Sequence, residues 1–377
     1  MSCKKNKCKF CLYHNLDYKQ SVIEKQKFLV ELYKPITKNI KDLVVMKDNE
    51  HYRHKVTASF SNRNKQVVAG VYQEDTHQLI FNNGCYLQHS LANNIIDTIV
   101  HLANKFKIDA YNERTGYGTL RHAQIRISHL NNDVLLTLVI GVKEFKSSKN
   151  FAKAIIDKHP EIKSVVLNFN NRQTSVVLSS NDKVIIGSGK IMDSILDTKF
   201  LIGSNTFYQI NPIQTEKLYQ SIVDLANISK NDIVIDTYCG IGTISLILSK
   251  YAKQVIGVEL NKESIVNAKK NASINKISNA VFINDDATKY INNYKGKIDV
   301  LIMDPTRAGA TKVFMDAILR LKPKKIVYVS CDPNTQYRDI KQIKSMYNIE
   351  SIQGFDMFPF VKHTESIALL KLNNYKK

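Results

Sequence analysis

The sequence lacks long hydrophobic stretches, internal repeats and low-complexity linkers. No apolar run reaches the roughly 18 residues that a transmembrane helix needs, so we expect no membrane-spanning segment. The N-terminal stretch MSCKKNKCKFCLYHN has no apolar signal core, and we therefore expect a protein that is not secreted and acts in the cytoplasm. Hydrophobic residues make up 44% and charged residues 23% of the chain, which excludes wholesale disorder.

Acidic residues are scarce relative to basic ones. The 377 residues include 34 Asp and Glu against 54 Lys and Arg, which gives a formal net charge of +20. Such a surplus favours a polyanionic partner, either nucleic acid or an anionic membrane surface. A generally lysine-rich proteome would produce the same surplus without a partner. The length suggests two or three domains.

Cysteine is also rare, yet three of the six cysteines lie close together near the N-terminus. A chain that is not secreted should not hold structural disulfides, so metal binding or catalysis is the better explanation. Cys3, Cys8 and Cys11 can converge on one metal centre, and Cys85 is the candidate fourth ligand. Four thiolates suit zinc or an iron–sulfur cluster, and the single Cys-x2-Cys pair favours the cluster weakly. A loose terminus without metal is the alternative.

The apolar pattern changes near residue 205. Before it, short β-rich runs such as DVLLTLVIGV alternate with helical stretches and predict an N-terminal α+β domain with an antiparallel sheet. After it, strands and helices alternate, which predicts an α/β domain with a doubly wound, Rossmann-like sheet. The last two runs, SIQGFDMF and ESIALLKL, predict an antiparallel edge hairpin. The predicted segments are 1–49, 50–204 and 205–377.

A glycine-containing turn follows the first strand of the last segment. In Asp236-Thr-Tyr-Cys-Gly240-Ile-Gly242, the glycines allow close approach of a ligand to a helix N-terminus. Ser245 replaces the third glycine of the dinucleotide fingerprint, and Asp236 would repel a diphosphate. A cationic, amino-bearing ligand such as S-adenosylmethionine fits better, although a nicotinamide site stays open. Carboxylates at the next two strand ends could bind its ribose and adenine: Glu259 and Asp286.

A cysteine and two acids occupy three later segments that should meet at the carboxyl edge of the sheet: Asp304, Cys331 and Glu365. A thiolate is the strongest side-chain nucleophile, and the helix start at Pro333 could lower the pKa of Cys331. Together with a methyl sulfonium, these groups suit methylation of uracil C5. Cys331 would add to C6, C5 would accept the methyl group, and Glu365 would remove the C5 proton. A small buried cysteine without chemistry is the alternative.

Several motifs resemble those of the RNA uracil-5-methyltransferase family, which is SAM-dependent. They are DTYCGIGTIS, DPTRAG, SCDPNTQYRD and FDMFPFVKHTE, preceded by YRHK at 52–55 and FYQINPIQ at 207–214. The resemblance implies that Cys331 is the nucleophile and Glu365 the base. It places cofactor contacts on Gln209, Tyr238, Glu259 and Asp286, with Asp304 at the edge of base and cofactor. Thr306 replaces the usual second proline of the Asp-Pro-Pro-Arg motif.

The cysteine pattern resembles the [4Fe–4S] ligands of the family's ribosomal-RNA branch. The layout is most similar to the shorter branch that methylates a uridine in 23S rRNA, and the tRNA branch lacks these cysteines. The resemblance therefore implies a cluster-binding segment, a central RNA-binding domain and a C-terminal SAM-dependent methyltransferase domain in a monomer. A tRNA enzyme, or a catalytically silent RNA-binding assembly factor on the same fold, is the alternative.

Candidate RNA contacts are spread over the chain. Phe207 and Tyr208 could stack on a flipped base or its neighbour, and core packing would explain them equally well. Arg307 could contact the base. Four further cations are candidates for phosphate contact or are surface charges: Arg53, Lys55, Arg121 and Arg126.

Overall fold

The computed structural model describes residues 11–13, 15–72, 79–81, 84–172, 174 and 176–373. The helices are α1 (Tyr18–Tyr33), α2 (Ser90–Lys105), α3 (Ser148–Ile156), α4 (Pro212–Ala226), α5 (Thr243–Ser249), α6 (Lys262–Ile274), α7 (Ala287–Asn293), α8 (Lys312–Leu321) and α9 (Pro333–Ile343). Strands of the N-terminal half are β1 (Ile40–Val44), β2 (Lys55–Arg63), β3 (Gln66–Tyr72), β4 (Leu79–Phe81), β5 (Leu120–Ile127), β6 (Val134–Ile140), β7 (Ile162–Phe169), β8 (Asp182–Ile186), β9 (Lys190–Ile195) and β10 (Thr198–Gly203). Those of the C-terminal half are β11 (Ile233–Thr237), β12 (Gln254–Glu259), β13 (Ala280–Asn284), β14 (Val300–Met303), β15 (Lys325–Ser330), β16 (Tyr347–Phe355) and β17 (Glu365–Leu372).

The chain forms two compact units. The first unit contains Asp48–Ser194 and Leu201–Pro212 together with the described residues up to Asn15. The second unit contains Leu16–Lys47, Ile195–Phe200 and Ile213–Lys377. The N-terminal helix α1 and strand β1 therefore belong to the second unit, whereas the predicted segment 1–49 groups them with the cysteines.

The second unit is an α/β fold built on an eight-stranded sheet. Its strand order is β1-β16-β17-β15-β14-β11-β12-β13. Strands β11 to β15 are mutually parallel, and β17 runs antiparallel to β15 and β16. The predicted Rossmann-like sheet with an antiparallel hairpin is confirmed. The predicted edge position of that hairpin is wrong, because β1 pairs in parallel with β16 and covers its outer side.

Capping side chains fix where several helices of the second unit begin. Asp332 precedes α9, accepts a hydrogen bond from the Asn334 amide and is followed by proline at the first helical position. Asn261 caps α6 in the same way. These helices pack on a core that includes the fully buried Ile235 and Leu301 of the central strands. The strand ends that carry the predicted site are therefore held on a rigid support.

The first unit is an α+β fold around a seven-stranded sheet. Its order is β4-β3-β2-β5-β6-β7-β8, and all neighbours are antiparallel except β6 and β7, which α3 connects. The core contains apolar side chains of α2 and α3. The hairpin β9–β10 is divided between the two units. Within the described ranges, no helix is long and apolar enough to cross a membrane.

Candidate active site

Cys331 and Glu365 lie at the ends of two neighbouring antiparallel strands. In the ladder between β15 and β17, Ser330 pairs with Ser366. Cys331 directly follows Ser330 and Glu365 directly precedes Ser366, and the Glu365 charge is close enough to raise the pKa of Cys331. The strand register therefore brings together a thiol and a carboxyl group that are far apart in sequence.

A buried glutamine fixes these strand ends. Gln336, on α9, donates from Nε2 to the Tyr328 carbonyl at 2.7 Å, and its Oε1 accepts from Ser366 Oγ at 2.9 Å. Tyr33 of α1 donates to the same Oε1 at 2.5 Å. All four side chains are buried, so loss of one would leave unpaired polar groups in the core. The network holds β15 and β17 in register where the site is formed.

Two carboxyl groups share this edge of the sheet. Asp304 follows β14 and is half-buried, while Glu365 is only 4% exposed. Burial and the nearby Glu365 charge raise the pKa of Asp304 to about 8. Burial also raises the pKa of Glu365 to about 7, and the Arg307 guanidinium opposes this shift. At neutral pH the pair therefore carries a proton that it can exchange.

Ionisation of these carboxyl groups should destabilise the protein. Because the pKa of Asp304 is raised to about 8, the folded chain keeps a proton that the unfolded chain releases near pH 4, so stability falls as the pH rises between these values. We expect Asp304→Asn to raise the melting temperature by about 2–4 °C near pH 8 and to change it little near pH 4. Circular dichroism melting curves across this pH range measure the difference. An equal shift at both ends of the range would contradict the assignment.

The thiol of Cys331 is half-buried next to these acids. Burial raises the pKa of Cys331 to about 11, and the Glu365 and Asp304 charges add to the shift. Arg307 lowers the pKa, but it does not compensate. The expected lowering by the helix that starts at Pro333 is therefore outweighed by desolvation and two neighbouring carboxylates.

Removing one carboxylate should make the thiol more reactive. Glu365→Gln removes a charge that raises the pKa of Cys331, so we expect carboxamidomethylation of Cys331 by iodoacetamide near pH 8 to accelerate about three- to tenfold. Arg307→Gln should slow it. Peptide mass spectrometry measures the rate, with Cys239, which is 5% exposed, as an unreactive internal control. Unchanged labelling in both variants would show that these charges do not act on the thiol.

The glycine turn lies at the end of β11. Asp236 is 1% exposed; its Oδ2 accepts from Ser245 Oγ, whereas its Oδ1 is buried without a hydrogen-bond partner within the described chain. Gly240 has a φ of +55° with open space where a Cβ would stand, and Gly242 has a φ of +81°. A Cβ at Gly242 would come 2.8 Å from the Phe282 ring. Ser245 therefore holds the Asp236 carboxylate in place. In the sequence Ser245 stood out only as the replacement of the third glycine, so this role was not predicted.

Glu259 is oriented by the same turn. Its Oε2 accepts from the Gly240 amide at 3.1 Å, and its Oε1 accepts from the Asn261 amide at 2.8 Å. Asp286 is the N-cap of α7 and accepts from the Lys289 amide, so its exposed carboxylate also has a structural role. Tyr238 has a φ of +66°, a constrained conformation for a non-glycine residue at the end of a strand. A cationic ligand fits the open space at Gly240, the carboxylates of Asp236 and Glu259, and the buried Oδ1 of Asp236 that has no partner within the described chain.

The predicted residues of the first unit form a separate set. Gln209 and Tyr208 line a small cavity with Lys55 and Arg126, while Phe207 is 70% exposed. Arg126 is buried, and its guanidinium donates to the carbonyls of Ser204 and Thr206 and to Gln124. Arg53 is half-buried on the segment before β2.

Arg121 does not fit the role of a phosphate contact. It is 2% exposed and pairs with Glu113 at 2.8 Å, and its remaining donors reach backbone carbonyls. That expectation is wrong, because the basic residue lies in a strand whose side chains are all buried.

The predicted metal ligands are described only in part. Cys3 and Cys8 lie outside the described residues. Cys11 and Cys85 both belong to the first unit and are half-buried. Among the residues that the structure describes, no group of three or more His, Cys, Asp or Glu could hold a metal ion.

Sequence reasoning missed a buried ion pair beside the site. Lys25 of α1 donates to Asp356 Oδ1 at 2.6 Å, to the Phe358 carbonyl at 2.9 Å and to the His363 carbonyl at 3.2 Å. The loop between β16 and β17, which leads to Glu365, is thereby anchored at both ends. The helical spacing could have indicated that Lys25 is buried, because Lys25 lies four residues before Leu29 and on the same face of α1.

The chain is similar to known RNA methyltransferases. The family model described as tRNA (uracil-5-)-methyltransferase matches residues 17–373. An uncharacterised RNA methyltransferase of Oceanobacillus iheyensis is 38% identical over 336 residues, which covers 87% of this chain and 73% of that protein. One from Halalkalibacterium halodurans is 35% identical over 377 residues, with 98% and 82% covered.

A solved structure has the same fold over most of the chain. The tRNA (uracil-54, C5)-methyltransferase of Pyrococcus abyssi, in complex with S-adenosyl-L-homocysteine, superposes with a TM-score of 0.82 at 23% identity. The match covers 98% of this chain and 87% of that one. With the family match over nearly the whole length, the chain belongs to the tRNA (uracil-5-)-methyltransferase family and is an RNA uracil-5-methyltransferase.

Proposed function

We propose that this chain methylates C5 of a uridine in 23S rRNA, with Cys331 as the nucleophile and Glu365 as the base. The observation that supports the catalytic assignment is the pairing of Ser330 with Ser366, next to Cys331 and Glu365, together with the effect of the Glu365 and Asp304 charges on the Cys331 thiol. The ribosomal substrate is favoured by the N-terminal cysteines, and the net charge of +20 suits a long RNA.

The chemistry begins when Cys331 releases its thiol proton to solvent and the resulting thiolate adds to uracil C6. The electron pair of the C5–C6 bond moves toward C5 and O4, so that C5 becomes nucleophilic and takes the methyl group. Asp304 is largely protonated at neutral pH because its pKa is about 8, and it can donate a hydrogen bond to the enolate-like oxygen.

Glu365 completes the reaction by removing the C5 proton. The electron pair of the C5–H bond then re-forms the C5–C6 double bond, and the thiolate leaves C6. A general base works best when its pKa is near the operating pH, and burial sets the pKa of Glu365 to about 7. A thiolate of raised pKa is a poorer leaving group, so its expulsion depends on removal of the C5 proton by Glu365.

The turn after β11 is proposed to bind the methyl donor. S-adenosylmethionine supplies a methyl group on a positively charged sulfur when bound. Asp236 and Glu259 provide negative charge for a cationic, hydroxyl-bearing ligand, and the open space at Gly240 permits close approach. Further contacts are assigned to Tyr238, Asp286, Asp304 and Gln209.

Residues within each unit are proposed to contact the RNA. Phe207 is exposed and carries a ring on which a base can stack. Arg307 is exposed, lies 3.4 Å from His363 and acts electrostatically on Cys331. Arg53 and Lys55 are assigned to the RNA strand, because burial and the Arg126 and Arg53 charges lower the pKa of Lys55 to about 8, and an approaching phosphate would relieve this repulsion.

A [4Fe–4S] cluster is proposed at Cys3, Cys8, Cys11 and Cys85. The donor chemistry supports it, since Cys11 and Cys85 are half-buried thiols of one unit. Asn93 holds the Cys85 backbone through hydrogen bonds of 3.2 and 3.4 Å. Anaerobically purified protein should show iron and a broad absorption band near about 400 nm that Cys85→Ser removes. Stoichiometric zinc without that band would replace the cluster with a zinc site.

The substrate is tested by methyl transfer to defined RNA. Protein with a radiolabelled methyl donor is incubated separately with 23S rRNA and with tRNA transcripts, and 5-methyluridine is measured by nucleoside mass spectrometry. Labelled 23S rRNA alone supports the proposal. Labelled tRNA alone would replace the substrate, and the absence of 5-methyluridine from both would overturn the activity.

The base is tested by trapping the covalent intermediate. In Glu365→Gln the C5 proton cannot be removed, so the sulfur should stay bonded to C6 of the methylated base. We expect a protein–RNA adduct on denaturing gels that requires the methyl donor. Glu350→Gln, which changes an acid paired at the surface with Lys371, is the matched control and should form no adduct. A variant that turns over without accumulating adduct would exclude Glu365 as the base.

A further inference from the structure

We propose that two adjacent loops of the first unit form a platform that binds an unpaired segment of RNA. The platform consists of Arg114 and Tyr117 on the loop Asn112–Gly118 and Arg172 after β7. It rests on the proposed function only in that RNA is the substrate, and it uses residues other than those assigned to catalysis or to the methyl donor.

The loop that carries Tyr117 is held by its own hydrogen bonds. The Asn112 amide donates to the Tyr117 carbonyl at 2.7 Å, and the Gly116 amide donates to the Asn112 carbonyl at 2.8 Å. The Asn112 side chain accepts from the Arg114 amide at 2.9 Å. Gly116 and Gly118 have φ values of +74° and +98°, and a Cβ at Gly118 would lie 2.1 Å from a backbone carbonyl. The loop therefore has one defined conformation.

Arg121 joins this loop to its neighbour. It is buried in β5 and donates to Glu113 Oε1 from both Nε and Nη2, at 3.2 and 2.8 Å. Its other hydrogen bonds reach the carbonyls of Asn170, Arg172 and Thr174, at 2.9, 2.9 and 3.1 Å. A buried guanidinium thus fixes two surface loops side by side, and its charge is balanced by Glu113.

The side chains presented by this support have no role in the fold. Tyr117 is 79% exposed, the highest value among the exposed large apolar and aromatic side chains of the described chain. Arg114 and Arg172 are also exposed, and neither forms an ion pair with another described residue. The nearby acid Glu113 is already paired with Arg121. The platform therefore offers one aromatic face and two uncompensated cations.

These features match the chemistry of unpaired RNA. Splayed bases stack on aromatic side chains, and arginines bind the flanking phosphates. A duplex keeps its bases stacked on one another and would use only the two charges. Because the loop that carries Tyr117 is already held by its own hydrogen bonds, binding there loses little conformational entropy. A protein partner would require an apolar surface around Tyr117, whereas its neighbours in the chain are Gly116 and Gly118.

Fluorescence anisotropy with a labelled single-stranded 20-mer of mixed sequence, and with its duplex, tests the platform. We expect Tyr117→Ala to weaken binding of the single strand about tenfold, with Tyr117→Phe within about twofold of the parent and duplex binding unchanged. The matched control Tyr251→Ala changes an exposed tyrosine of the second unit and should bind like the parent. Arg114→Gln with Arg172→Gln should reduce the slope of log affinity against log salt by about 1.4.

Single-strand binding by Tyr117→Ala equal to the parent would overturn the platform. Equal losses for Tyr117→Ala and Tyr117→Phe would exclude stacking and overturn it as well. Binding of the methyl donor by each variant, measured calorimetrically, must match the parent, so that an unfolded variant is recognised. If the platform variants lose RNA affinity while the parent yields no 5-methyluridine, the binding site stands and the proposed methylation fails.

Discussion

Cys331→Ala should abolish methyl transfer while leaving the methyl donor bound with an affinity within about twofold of the parent. Among the described side chains at this edge of the sheet, the sulfur is the nucleophile assigned to activate uracil C5, and loss of a covalent nucleophile lowers kcat by about 10,000-fold or more. The strand ladder and Gln336 do not depend on the Cys331 side chain, so the fold should persist. Nucleoside mass spectrometry and titration calorimetry measure the two quantities.

Cys331→Ser provides the matched comparison. Serine has nearly the same size as cysteine but is a poor nucleophile at neutral pH. The serine variant should therefore be as inactive as Cys331→Ala. A serine variant with substantial activity would show that Cys331 serves mainly to position the base. An alanine variant that methylates at the parental rate would eliminate the covalent route altogether.

The parts of the site that follow strand ends could be predicted from the sequence. Asp236, Glu259, Asp304 and Cys331 each follow or end an apolar run, and parallel strands present such ends at one edge. The position of Glu365 required the antiparallel return of β17, which the short connection between two apolar runs already indicated. The local pattern of apolar runs followed by polar residues therefore predicted both the sheet and the meeting of these groups at one edge.

Features that depend on contacts with elements distant in the sequence could not be predicted. Strand β1, IKDLV, has two charged residues and was not among the predicted strands, yet pairing with β16 makes it the sheet edge. Arg121 reads as a surface cation, but three backbone carbonyls and Glu113 stabilise it inside the protein. The pKa of Cys331 also depends on which carboxyl groups the fold brings near it. In each case the deciding partner lies in another element.

The second large effect is expected at Lys25. Its ammonium group is 1% exposed and faces the fully buried Asp356 at 2.6 Å, so Lys25→Met would leave a carboxylate without a counter-charge in the core. Breaking a buried pair by removing one partner typically costs about 3–5 kcal/mol of unfolding free energy. Urea denaturation followed by circular dichroism measures it. Lys27→Met, at an exposed position of the same helix, should cost less than about 0.5 kcal/mol.

A double variant separates stability from positioning. Lys25→Met combined with Asp356→Asn removes both charges, so much of the lost stability should return. The hydrogen bonds from Lys25 of α1 to the carbonyls of Phe358 and His363 are still absent in this variant. Helix α1 therefore no longer holds the loop that leads to Glu365. We therefore expect a stable protein with a kcat reduced about tenfold or more and an unchanged affinity for the methyl donor. Full activity in the double variant would show that the ion pair contributes to folding alone, whereas low activity would extend the catalytic apparatus to the N-terminal helix.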